Sequence, residues 1–275
     1  MTTLPNTFIA IRVQALGGKF LGDDIGGALI TVRDAQTGEL LATGSTAGNS
    51  GTLSPTYAPN ASLSTIVTPT PGQPPTIQWL LAVDTNSRST TTSVFHANLV
   101  LDRPTLLEIE ARGPFGGLQS AHRVIATEWI VPGQNLTAAP GLVLLIPGLL
   151  VQVMSPATHT QYMSAPCTDR QMPIEASVAM MCGCPISDAP NNPWFPSDFD
   201  VSAQIRVVGG PLVQQLPLTF KPGSPASRFA GMYVVPLNTT TSPIFYEMTI
   251  TARQLTTGNV GTGTVTFFAQ PASST

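Results

Sequence analysis

Along residues 8–16 (FIAIRVQAL) apolar side chains alternate with polar or small ones, the period-two pattern of a half-buried strand. The alternation returns at 28–34, 40–44, 77–83, 92–101, 105–112 and 122–130. Turn chemistry separates these stretches, as at Thr37-Gly38, Asp84-Thr85-Asn86 and Asp102-Arg103-Pro104. A second series follows at 142–146, 149–154, 173–181, 201–208, 215–220, 232–236, 245–253 and 263–269. Between the two series, residues 131–141 break the pattern and are uncharged and turn-rich, which suits a boundary. The pattern predicts an all-β chain of two antiparallel β-sandwich domains, 1–138 and 139–275.

Composition narrows the picture. The 275 residues include 24 glycines and 26 prolines, too many helix breakers for a long-helix protein. Hydrophobic content of 42% with a net charge of −3 excludes a disordered chain. Only 10% of residues are charged, so Ser, Thr, Asn, Gln and backbone must wet the surface. Without excess Lys or Arg to neutralise phosphates, nucleic acid is not an expected partner. Residues 45–75, rich in Ser, Thr, Pro, Gly and Asn, read as a long surface excursion, a length usually reserved for function or motion.

The opening Met1-Thr2-Thr3-Leu4-Pro5 lacks the charged start and apolar run of a secretory signal, which predicts a cytoplasmic chain if that N-terminus is native. The most apolar run, 141–154, is interrupted by Pro147-Gly148 and is too short to cross a bilayer. Asn60, Asn135 and Asn238 stand in glycosylation-type triplets, which a chain so rich in Ser and Thr produces by chance.

The phrase GGALITVRDAQTGELLATGSTAGNSG resembles the opening of transthyretin-like and carboxypeptidase-regulatory-like β-sandwich modules. The ending IFYEMTITARQLTTGNVGTGTVTFF is similar to the last hairpin of bacterial immunoglobulin-like or fibronectin-type-III-like domains. These resemblances imply tandem sandwich modules, the second with immunoglobulin-like topology. They imply no ligand.

One segment is chemically unusual. Residues 154–184 hold all three cysteines (Cys167, Cys182, Cys184), five of the eight methionines and His159. Thiolate and thioether select soft ions such as Cu(I) and Zn(II). Gly183 lets the backbone bend so that Cys182 and Cys184 can turn to one ion, with Cys167 and His159 completing the set. The same residues also suit plain core packing, or a redox or nucleophilic thiol. Directly after them, the Pro-rich loop 185–197 carries Trp194 and Phe195, either an aromatic platform for a protein or glycan partner or a plug over the end of the sandwich.

No G-x-S-x-G, H-E-x-x-H or phosphate-binding loop occurs. The leading expectation is therefore a non-catalytic β-sandwich protein for binding or assembly, acting through loops 45–75 and 185–197. The alternative is a soft-metal protein or metalloenzyme, binding copper or zinc through Cys167, Cys182, Cys184 and His159.

Overall fold

A computed structural model of the chain describes residues 4–51, 92–138, 141–158, 160–162, 170–189, 192–223 and 227–271. Most of the 45–75 excursion, the expected strand 77–83, His159 and Cys167 lie outside the described residues. Within them the chain is all-β, joined by short 3-10 turns, and it forms two compact β-sandwich units. The first comprises described residues up to Gly148 together with Met180–Cys184; the second comprises Leu149–Ala179 and the residues from Pro185 onward.

In the first unit, β1 (Asn6–Ala15) pairs antiparallel with β4 (Phe95–Val100). Its other edge pairs in parallel with β7 (Asn135–Leu136) and then β8 (Leu142–Ile146). A second sheet is antiparallel throughout, in the order β3 (Leu40–Ser45), β2 (Leu29–Asp34), β5 (Thr105–Gly113), β6 (His122–Ile130). The alternation in β1 suggests one wet face, yet every residue from Ile9 to Ala15 is buried, Arg12 and Gln14 included. Gln14 satisfies its amide by donating to the Gly18 carbonyl at 3.1 Å. A strand paired along both edges and covered on both faces holds a polar group such as the Gln14 amide at least cost when it is bonded.

The Asp34-Ala-Gln-Thr-Gly-Glu phrase is the β2–β3 connection. The Asp34 carboxylate accepts from the backbone N–H of Gln36 at 2.8 Å and of Thr37 at 3.2 Å. Gly38 takes the left-handed conformation (φ +76°) that closes the turn.

The second unit has two sheets. One runs β10 (Gln161–Tyr162), β17 (Val260–Ala269), β16 (Ile244–Gln254), β12 (Phe199–Val207), β13 (Leu212–Pro217). The other runs β14 (Thr219–Phe220), β15 (Arg228–Val234), β11 (Gln171–Met180), β9 (Leu149–Ser155). The single strand expected over 215–220 is two: β13 ends at Pro217 beside β12, and β14 pairs with β15. The chain changes sheets at Leu218, whose N–H donates to Val201 at 2.8 Å.

Aromatic rings knit the two sheets. Phe267 of β17 stacks on Tyr246 at 5.1 Å and meets Tyr233 of β15 edge-on at 6.4 Å. Each such pair contributes about 1 kcal/mol beyond the area it buries. Burial pushes the Tyr233 phenol up to about 12, with Tyr246 adding to the effect, so it stays neutral in this core.

Strand β17 also explains its own odd composition. Its inward positions include Gly261 and Gly263. A Cβ on Gly261 would run into the Leu149 carbonyl, and one on Gly263 would stand 2.9 Å from the Val151 carbonyl. The glycines let β9 approach, and the threonines between them point the other way.

Candidate functional site

The outward side of the five-stranded sheet is built by that alternation. Thr262, Thr264 and Thr266 are exposed along β17 and stand opposite Thr251, Thr249 and Glu247 of β16. Across β16, Thr251 faces Ser202 and Thr249 faces Gln204; beyond them lie Pro217 and Gln215 of β13. The centre of the face is thus a field of hydroxyl and amide groups that both donate and accept. Thr249 and Thr264 hydroxyls stand 3.4 Å apart, and Gln204 donates to Gln215 at 3.4 Å.

Charge on this face is balanced locally. Arg253 pairs with Asp200 at 3.6 Å, and Arg206 stands opposite Glu247 in the register. At the other end, Phe245 and Phe268 lie 5.5 Å apart with ring planes tilted by 33°. Phe245 is 54% exposed, unusual for a phenylalanine on a regular strand. In the sequence these residues show only strand alternation. The T-x-T-x-T run at 262–266 carries the signal, but it acquires meaning only when register sets Thr249 and Thr251 beside it.

The cysteines lie elsewhere. Gly183 N–H donates to the Met180 carbonyl at 2.8 Å, and Met180 N–H to the Cys184 carbonyl at 3.0 Å, folding Met180–Cys184 into a closed turn. Gly183 has φ +76°, and a Cβ there would collide with Ile25. Cys182 and Cys184 are 1% and 7% exposed, with their sulfurs hydrogen-bonded at 2.8 Å. Burial opposes ionisation of Cys182. The Cys184 thiol, the backbone N–H groups of Lys19 and Cys184 and the Lys19 ammonium outweigh it and hold Cys182 below the ordinary thiol range. Cys184 is pushed far up by its bond to Cys182, by burial and by the neighbouring negative charge. One sulfur is thus the favoured thiolate and the other keeps the proton.

This pair fits an ion poorly as it stands. Two thiolates on one tetrahedral zinc, at Zn–S of ~2.3 Å, sit about 3.8 Å apart. Among the described residues no group of three or more His, Cys, Asp or Glu side chains is placed to hold a metal. Met172, Met180 and Met181 are wholly buried, as core fillers are, while Met154 is exposed.

The 185–197 loop is closed by its own bonds. Ser187 N–H donates to the Trp194 carbonyl at 3.0 Å, and Trp194 N–H to Asn192 Oδ1 at 2.8 Å. Trp194 is only 3% exposed, and Phe195 is half-buried, so neither offers an open platform. Asn238 is also buried, its amide donating to the Ser242 and Ala269 carbonyls at 2.9 Å each, which leaves no acceptor for a glycan there.

No known family model matches the chain, and no curated protein matches it either.

Proposed function

We propose that this chain is a non-catalytic β-sandwich binding protein whose working surface is the outward face of the five-stranded sheet. Its ligand on this reading is a neutral, hydroxyl-rich polymer, a polysaccharide chain lying across β12, β16 and β17. The observation that carries the reading is the alignment of Thr262, Thr264, Thr249, Thr251, Ser202 and Gln204 in register, ending at the exposed Phe245 and the half-buried Phe268 beside it.

The chemistry of the face favours that ligand over others. Hydroxyl and amide groups exchange hydrogen bonds with sugar hydroxyls in either direction, and aromatic faces cover the apolar side of a sugar ring. A protein partner wants an apolar, charge-depleted centre, whereas here the centre is polar and the apolar pair sits at one end. A polyanion wants unpaired cations, and Arg253 and Arg206 each face a carboxylate. The copper or zinc reading has weaker support, because the two placed thiols touch each other.

Retardation of the full chain in native gels containing dissolved neutral polysaccharides tests this reading. Retardation by a neutral glucan or mannan that persists at high salt supports it, since uncharged contacts are little screened. Retardation only by acidic polymers, lost as salt rises, contradicts it.

A further inference from the structure

The Met180–Cys184 turn holds two thiols in contact. Their 2.8 Å separation is shorter than that of two non-bonded sulfurs and longer than the ~2.05 Å of a disulfide bond, and both are free cysteines. Gly18 packs against this pair, where a Cβ would stand 3.2 Å from Cys182 Sγ. Ala179 and Pro185 form an isolated bridge at the base of the turn, so its ends are fixed while Gly183 supplies the bend.

We infer that Cys182 and Cys184 form a reversible two-electron thiol–disulfide switch whose oxidant is a small, uncharged peroxide. The Cys182 thiolate attacks one oxygen of hydrogen peroxide; the O–O bond breaks, and the departing hydroxide takes a proton to become water. Cys182 is now a sulfenic acid. The Cys184 sulfur attacks Cys182 Sγ, the S–O bond breaks, and the hydroxyl leaves as water with the proton of Cys184. Two thiols have lost two electrons and two protons, and one peroxide has become two waters. A dithiol reductant reverses the step by exchange.

Burial selects the oxidant. A low-molecular-weight disulfide must bring both its sulfurs into line with the attacking thiolate, and a sulfur that is 1% exposed has no room for that approach. Peroxide needs a path only as wide as a water molecule. Cys184 stands ready as the resolving thiol, so Cys182 is diverted to the disulfide before further oxidation.

Thiol mapping on the full-length protein tests this. Trypsin cuts after Arg170 and Arg206, so residues 171–206 carry Cys182 and Cys184 without Cys167, which falls in 124–170. After peroxide, the protein is unfolded in N-ethylmaleimide and digested. The expected result is a 171–206 peptide lighter by two hydrogens and unlabelled, restored by dithiothreitol, while oxidised glutathione over the same period leaves both thiols labelled. In Cys184→Ser, which cannot resolve, dimedone present as the protein is unfolded after peroxide should trap a sulfenic acid on Cys182. Persistent labelling of both thiols after peroxide, a link from 171–206 to 124–170, or sulfinic acid without disulfide would each overturn the inference. Equal reactivity with oxidised glutathione would overturn the choice of oxidant.

Discussion

Asp198 and Gln254 are joined by their buried side chains, Gln254 Nε2 donating to Asp198 Oδ2 at 2.9 Å. Asp198 also accepts from Thr256, through its backbone N–H at 3.0 Å and its hydroxyl at 2.7 Å. Gln254 Oε1 in turn accepts from the Thr257 hydroxyl and the Asn259 amide. This network pins the turn between β16 and β17, and with it the register that sets Thr249 and Thr251 beside Thr264 and Thr262.

Asp198→Ala should therefore lower the unfolding free energy of the second unit by about 3 kcal/mol, since it removes charge-assisted bonds and leaves the Gln254 amide buried without its acceptor. Asp198→Asn keeps one carbonyl oxygen and should lose less. Urea denaturation followed by fluorescence measures both. An unchanged midpoint for the alanine variant would show that the network is not needed.

The two sides of β17 should respond oppositely. Gly261→Ala drives a Cβ into the Leu149 carbonyl, and because backbone cannot move aside cheaply the expected cost is about 2 kcal/mol. Thr262→Ala, on the exposed side, should stay within about 0.5 kcal/mol. Comparable losses at both positions would contradict the assignment of inward and outward faces.

Asp34 gives a pH dependence. The Gln36 N–H lowers its pKa most; burial acts against this, and the Thr37 N–H and the Arg103 guanidinium, 3.3 Å from the carboxylate, reinforce the lowering. A carboxyl depressed on folding adds stability above its unfolded pKa of ~3.9 and loses it as pH falls through the lower folded value. Asp34→Asn should thus be less stable than the parent at neutral pH, and the gap should close in strong acid. Melting temperatures across that range decide it, a constant gap being the adverse result.

Much of the fold was legible because period-two alternation and turn residues are local. Strands expected at 122–130 and 142–146 match β6 and β8, and Thr-Gly-Asn marks the β16–β17 turn. Features set by distant pairing were not. Pairing along both edges of β1 comes from partners about 85 to 130 residues away along the chain, by its registers with β4 and β8. The break at Leu218 depends on which sheet each half joins. The sites follow the same logic. The contact between Cys182 and Cys184 was foreshadowed by a two-residue spacing. Trp194 was conspicuous as a loop aromatic, whereas its burial depended on how the loop closed. Phe245 and Phe268 were ordinary strand residues until register brought them together at the surface.

The most direct test of the binding account is titration calorimetry of the full chain with the neutral polysaccharide that retards it, beside Phe245→Ala and the double variant Thr249→Val/Thr264→Val. Both changes lie on the outward face, so folding should persist, as far-ultraviolet dichroism will report. The account predicts roughly thirtyfold weaker binding for Phe245→Ala, the effect of losing an aromatic worth about 2 kcal/mol, and a clear loss for the valine pair, which keeps shape and removes hydroxyls. Undiminished affinity in both folded variants would contradict it.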